Sequence, residues 1–323
     1  MKNTVVCQLL MLFFLLNACK KAEEKALTKL QGNVFGTSYH IIYDSEINYQ
    51  KGIDSVFHLV NKSFSTYLPT SDISKINQND TTVVVNHLFK EVFEKSKRIY
   101  KETEGYFDIT VGQLVNAYGF GSKQEMKDFS EEELNQMMQK IGFDKVQLVN
   151  NKIVKQHPAV ELDANSIAKG YGIDVVGRLL EEKGIQNYLV EIGGEIRTRG
   201  LKNGNKWKVA IEKPNFDGTQ SFQKLIEVSD ISMATSGNYR KFKVADGKKY
   251  VHILNPLTGV AQESNLLSAT VLGSIDCADV DAYATAFMAM GFEKTKVFLT
   301  KHPELKVILL HADAQGNIVE FEN

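Results

Sequence analysis

Hydrophobic and polar residues alternate with period two along "GNVFGTSYHIIYD", residues 32–44, which predicts a half-buried strand. The period then changes. "INYQKGIDSVFHLVNKSFS" and "HLFKEVFEKSKRIYKETEG" place apolar residues three and four apart and predict amphipathic helices, the second stopped at Gly105. "SEEELNQMMQKIG" begins with Ser130 and three glutamates, the signature of a capped helix start. "KVQLVNNKIVKQ" reads as a hairpin turning at Asn150-Asn151. "PAVELD" reads as a strand feeding a helix in which Ile167, Val175, Val176, Leu179 and Leu180 recur at helical spacing. Strand patterns follow in "NYLVEIGGEIRTRG", "KWKVAIEKP", "LIEVSDISMATSG" and "SATVLG". "DVDAYATAFMAMGFEKTKVFLTKH" has helical stretches, and "LKVILLHADAQGNIVEFEN" closes as a hairpin. Helices mixed with antiparallel-looking strands make the class α+β.

The first residues belong to a different pattern. "MKNTVVCQLLMLFFLLNAC" has a basic start and an apolar run too short to span a bilayer, as in a signal peptide. Leu16-Asn17-Ala18-Cys19 resembles a bacterial lipoprotein cleavage box, so Cys19 is expected to carry lipid and begin the mature chain. An ordinary signal peptide cut near Ala18 is the alternative. The expected organisation is a signal peptide over 1–18, a charged lipidated tether over 19–30 and a globular domain over 31–323. The expected location is the bacterial cell envelope, membrane-anchored and facing the periplasm or exterior. Removal of the signal leaves about 305 residues, enough for a large core. A net charge of -1 argues against a nucleic-acid partner. Of three cysteines, only Cys277 remains free after export and lipidation, so no internal disulfide can form.

Candidate chemistry sits in three places. Lys169 falls at the start of a helix, where the dipole disfavours a cation unless an anion binds the N-terminal N–H groups. Asp163 ends the preceding strand pattern, and Ser166 lies between them, available as a cap or as a metal ligand. Asp281 and Thr285 are four apart and so share a helix face. Their hard oxygens suit magnesium holding phosphates. His252 precedes the Asn255–Gly259 turn, where a general base or a hydrogen-bonding partner for a phosphate would serve. Each feature also has a plain structural reading: a solvated lysine, an acidic helix start, a structural histidine.

Taken in order, "FGTSY", "STYLPTSDISKIN", "GYFDITVGQLVNAYGFG", "LDANSIAKGYGID", "EIGGEIRTRG", "ATSGNYRKF", "HILNPLTG" and "ADVDAYATAFMAMG" resemble the ApbE family of FAD:protein FMN transferases. The resemblance implies a T-fold-like architecture with antiparallel or mixed sheets and packed helices. It implies that FAD is split at its pyrophosphate and FMN joined to a threonine of an acceptor protein, such as an exported redox-complex subunit, with release of AMP. By matching position, Phe35, Tyr67, Tyr106, Phe107, Asp108, Asp163, Lys169, His252 and Ile253 would contact FAD. Ser166, Asp281 and Thr285 would hold Mg²⁺, with His252 and Asp281 catalytic. The chain departs from the family's pattern at Phe35 for methionine, Tyr118 for tryptophan and Ile109 for proline. It also has Asn165-Ser166 where glycines are frequent, Asn255 for aspartate and Leu257 for arginine. An FAD pyrophosphatase and a non-catalytic flavin-binding lipoprotein are the rival functions.

Overall fold

The computed structural model describes residues 26–122, 126, 129–213, 221–238, 242–245, 248–251, 253–260 and 265–323. The chain opens with β1 (Thr28–Val34) and β2 (Thr37–Tyr43), followed by α1 (Gln50–Phe64), α2 (Asp72–Asn77), α3 (His87–Glu102), α4 (Gly112–Ala117) and α5 (Glu131–Met138). A small hairpin, β3 (Val146–Val149) and β4 (Lys152–Lys155), precedes α6 (Ala168–Glu182). Then come β5 (Tyr188–Ile192), β6 (Glu195–Arg199), β7 (Trp207–Lys213), β8 (Ser221–Val228), β9 (Ser232–Gly237), β10 (Phe242–Ala245), β11 (Lys248–Val251) and β12 (Leu266–Gly273). The chain ends with α7 (Cys277–Met290), α8 (Phe292–Leu299), β13 (Lys306–Ala312) and β14 (Ile318–Glu322). Thr28–Leu30, placed in the tether above, are the first residues of β1.

Eight strands form one sheet in the order β1-β2-β5-β6-β9-β12-β13-β14, with every neighbouring pair antiparallel. The α+β expectation therefore holds. Period two sends alternate side chains to opposite faces. Tyr39 and Ile41 of β2, Val190 and Ile192 of β5, Ala269 and Val271 of β12 and Leu309 of β13 join the main core under α1, α3, α6 and α7. Ile196, Met233 and Ile308 face the other way, where Trp207, Val209, Ile211 and Val228 of the β7–β8 hairpin cover them. Fully burying side chains of this size contributes about 1.5–3 kcal/mol each. The sheet is thinnest at its centre: β6 and β9 pair only through Ile196↔Met233 and Arg197↔Ser232. Helices α6 and α7 pack side by side across that seam.

Local chemistry explains most boundaries. Asn86 caps α3 by accepting from Phe89 N at 2.9 Å, and Ser130 caps α5 with a full capping box through Glu133. Asn150 and Asn151 turn β3 into β4 with positive φ, as expected of a tight hairpin. Three expectations change. "GNVFGTSYHIIYD" is two strands joined at Phe35 (φ 51°) and Gly36 (φ 77°). Gly193 (φ 65°) and Gly194 (φ 103°) form the turn between β5 and β6 rather than lying inside a strand. "PAVELD" contributes a single bridge, Glu161 to Val111, and is not a strand.

Candidate active site

The central cluster forms where α6, α7 and β6 meet. The N-cap of α6 is Ile167, with no side-chain cap, so Ser166 does not cap the helix. Lys169 is the second residue of α6. Its Nζ lies 2.5 Å from Glu195 Oε1 and 3.9 Å from Asp281 Oδ1. Asp281 Oδ2 accepts from Gly170 N at 3.0 Å, so α7 supplies the anion for the N-terminal N–H of α6. That answers the puzzle of a lysine at a positive helix end: two carboxylates surround it. Both carboxylates are buried, whereas Lys169 keeps 30% of its side chain exposed.

The charges do not cancel. One ammonium faces two carboxylates, and Glu195 Oε2 is buried with no hydrogen-bond partner. An unsatisfied buried carboxylate oxygen is costly. Burial pushes the Asp281 carboxyl up to about 7, despite the Lys169 ammonium beside it, and Glu195 adds to the rise. Burial opposes the charge of Lys169, yet Asp281 and Glu195 hold its ammonium above the usual lysine range. A hard divalent cation fits this donor set and surplus negative charge. Among the described residues no three Cys, His, Asp or Glu side chains form a metal-holding group. A cation at Asp281 would therefore take its other ligands from hydroxyls, carbonyls or substrate phosphates, which is the habit of magnesium. Thr285 lies one turn beyond Asp281 on α7, and its Oγ1 is 3.3 Å from Ser236 Oγ on β9. Ser166 is half-buried in the turn before α6.

A second group of residues adjoins the start of α6. Asp163 is buried; Asn165 donates to it through its backbone N at 2.8 Å and its side chain at 3.1 Å. Burial raises the Asp163 carboxyl above the usual range. Tyr67 is half-exposed, and its hydroxyl is pushed up by burial and then by the Asp163 charge. Asp163 N donates to Ile109 O at 2.7 Å, which ties this turn to the Tyr106–Asp108 segment. Asp108 is buried and accepts from the N and Oγ1 of Thr110, both at 2.8 Å; burial pushes it up to about 6. Phe35 stacks edge-on against Phe57, and its ring edge comes 2.7 Å from where a Cβ on Gly172 would sit. It therefore lies against the first turns of α6.

Other expected residues are placed differently. Phe107 and Ile253 are part of the main core, so their side chains are packed rather than free. Tyr106 is held by Lys294 of α8, which hydrogen-bonds its hydroxyl and lies over its ring at 4.8 Å. His252 and Cys19 lie outside the described residues. Reading the residues did not single out Glu195. Its one signal was the pair of glycines before it: a Cβ on Gly193 would fall 2.7 Å from Thr37 Cγ2, so the β5–β6 turn sits tightly on the β1–β2 turn and fixes where Glu195 begins β6.

Known proteins resemble this chain in sequence and in fold. A relative from Vibrio cholerae serotype O1, named FAD:protein FMN transferase, is 38% identical over 305 residues, covering 91% of this chain and 89% of its own. One of the same name from Haemophilus influenzae is 35% identical over 315 residues, covering 92% and 90%. The solved structure of a flavin transferase ApbE from Vibrio cholerae superposes with a TM-score of 0.82 at 35% identity, over 92% of this chain and 97% of that one. The model of the ApbE family matches residues 35–309, and with these relatives it establishes that the chain belongs to the ApbE family.

Proposed function

We propose that this protein is an FAD:protein FMN transferase that joins FMN, through its phosphate, to a threonine of an acceptor protein and releases AMP. The observation that carries the reading is the Lys169–Glu195–Asp281 cluster, an ammonium at the edge of solvent over two buried carboxylates. Its surplus negative charge suits a magnesium ion that brings a pyrophosphate with it. Asp281, Thr285 and the Ser166 turn would hold that ion. When bound, it would neutralise the pyrophosphate and the departing AMP. Lys169 adds a fixed positive potential on the exposed side. Asp163, Tyr67, Asp108 and Phe35 line the neighbouring stretch, where an acceptor carboxylate and aromatic rings suit the hydroxyls and flat rings of a dinucleotide. His252 takes the threonine proton or orients the phosphate in this reading.

The acceptor is an exported redox protein, and the enzyme is held at the membrane through lipid on Cys19. The support for this anchor is the cleavage box ending at Cys19 and the charged residues after it. Among the described residues, no helix is long and apolar enough to cross a membrane.

The test incubates the protein with FAD, Mg²⁺ and a purified exported redox domain bearing a candidate threonine. Flavin fluorescence on the acceptor band after denaturing electrophoresis, with equal AMP, is the expected result. AMP and free FMN without a labelled acceptor would instead indicate an FAD pyrophosphatase. Retained FAD with no AMP would indicate a binding protein. Asp281→Ala is expected to lose nearly all Mg²⁺-dependent turnover, by about 100-fold or more, as for loss of a principal charge-stabilising group. Near-normal turnover by that variant would remove Asp281 from the site.

A further inference from the structure

One buried charge next to this cluster has no part in the proposed chemistry. Asp174 lies on α6, five residues after Lys169, and is fully buried. Its Oδ1 accepts from Cys277 N at 2.8 Å and its Oδ2 from Ala278 N at 2.8 Å. Arg197 Nη1 of β6 reaches Oδ1 at 2.5 Å. The two backbone donors are in the first turn of α7, where orphan N–H groups need an acceptor. That helix has its own acidic N-cap residue, Asp276, which makes no side-chain cap. The Asp276 carboxylate is engaged instead with Lys95 at 2.8 Å, Arg197 at 2.9 Å and Arg178 at 3.0 Å. The cap of α7 therefore comes from a different helix.

The three elements joined by Asp174 are those that carry the central cluster. Helix α6 carries Lys169, α7 carries Asp281 and Thr285, and β6 begins with Glu195. Glu195 and Arg197 are two apart on one strand and face the same side. So β6 meets α6 in two ion pairs of opposite sense, Glu195 with Lys169 and Arg197 with Asp174. One turn before Asp174, α6 touches α7 so closely that a Cβ on Gly170 would fall 2.4 Å from Cys277 O. Gly170 permits this approach without setting α7's rotation or its slide along α6. A carboxylate bridging two successive N–H groups restricts both.

We propose that Asp174 is a positioning residue of the active site, capping α7 from α6 and holding Arg197 so that Asp281 and Thr285 stand in register with Lys169 and Glu195. The inference rests on the reading that Asp281 and Thr285 hold Mg²⁺. Residues that orient metal ligands without touching the metal affect affinity strongly, because a small rotation of the ligand helix spoils the coordination.

The test measures Mg²⁺ binding by titration calorimetry on the full chain in detergent, together with urea unfolding. Asp174→Asn keeps the side-chain shape but turns one acceptor into a donor facing Arg197 or an N–H of α7. It is expected to weaken Mg²⁺ binding by about 10–100-fold while the protein remains folded. A second variant, Asp174→Asn with Arg197→Met, removes both charges and leaves Asp276 its pairs with Lys95 and Arg178. Its urea midpoint is expected to recover and its Mg²⁺ affinity to stay weak, a split that a purely structural role would not produce. Asp281→Ala serves as the control. Wild-type affinity in the Asp174 variants, with binding lost in Asp281→Ala, would overturn the positioning role and leave the metal reading standing. Wild-type protein that takes up no Mg²⁺, or an Asp281→Ala variant that binds normally, would overturn both. If the single variant fails to fold, the double variant decides by the same measure.

Discussion

At the scale of the residue, the informative feature is a charge imbalance. A lysine in the first turn of a helix costs about 0.3–1 kcal/mol against the dipole, a cost small enough to mean little alone. Buried carboxylates from two other elements change its meaning, since a buried carboxylate left without a partnering cation is costly. The imbalance has a consequence for pH. Burial raises Asp281 to about 7 in the metal-free protein, against 3.8 ordinarily. Between those values the folded state holds a proton that the unfolded state has released, so metal-free stability falls as pH rises through this window. Magnesium needs the carboxylate, so its binding is expected to strengthen from about pH 6 to pH 8 and level off above, with proton release on the acid side. Calorimetric titrations in two buffers of different ionisation heat would measure both. Binding that is independent of pH and releases no proton would show that Asp281 is already ionised, or that it is not a ligand.

At the scale of the element, the site depends on how closely α6 and α7 approach. Gly170 makes that approach possible, because its missing Cβ would fall 2.4 Å from a backbone carbonyl that cannot rotate away. Gly170→Ala is expected to destabilise the protein by about 1–3 kcal/mol, the usual cost of overpacking. The urea midpoint should fall with the m-value unchanged, and Mg²⁺ binding should weaken in the surviving folded fraction. An unchanged midpoint would mean the two helices can part without cost. The elements were legible in the sequence to different degrees. Helices α1 and α3 followed from periodicity, α5 from its cap and β3–β4 from paired asparagines. The β1–β2 and β5–β6 hairpins each read as one continuous strand for one reason. Each two-residue turn moves the helix-facing positions from even numbers (Val34, Ile192) to odd ones (Thr37, Glu195), a one-residue slip in the alternation that does not stand out within stretches this short.

At the scale of the whole molecule, the eight-stranded sheet has a narrow centre at β6–β9, and the candidate site lies over it on the helix face. Lys95, Arg178 and Arg197 tie α3, α6 and β6 to Asp276 at the start of α7, close to that seam. Although burial opposes it, these three cations hold the Asp276 carboxyl down to about 2. The proposed anchor is a separate matter from this body. Cys19→Ser is expected to abolish the acyl mass on the mature N-terminus and shift the protein from the membrane to the soluble fraction, with flavin transfer in solution retained. Mass spectrometry of both fractions checks it; an unchanged distribution would remove the lipid anchor.

By itself the sequence determined the mixed α+β class, the main helices and the ordered motifs that resemble the ApbE family, and it offered Lys169, Asp281 and Thr285 as candidates for the chemistry. These are local properties: periodicity, caps and side-chain type are written along the chain. Tertiary structure alone decided that Glu195 joins Lys169, that Ser236 stands beside Thr285, that Phe107 belongs to the core, and that Asp174 of one helix caps another. A buried carboxylate looks the same in sequence as a solvated one. What distinguishes them is which distant N–H or ammonium the fold brings within about 3 Å.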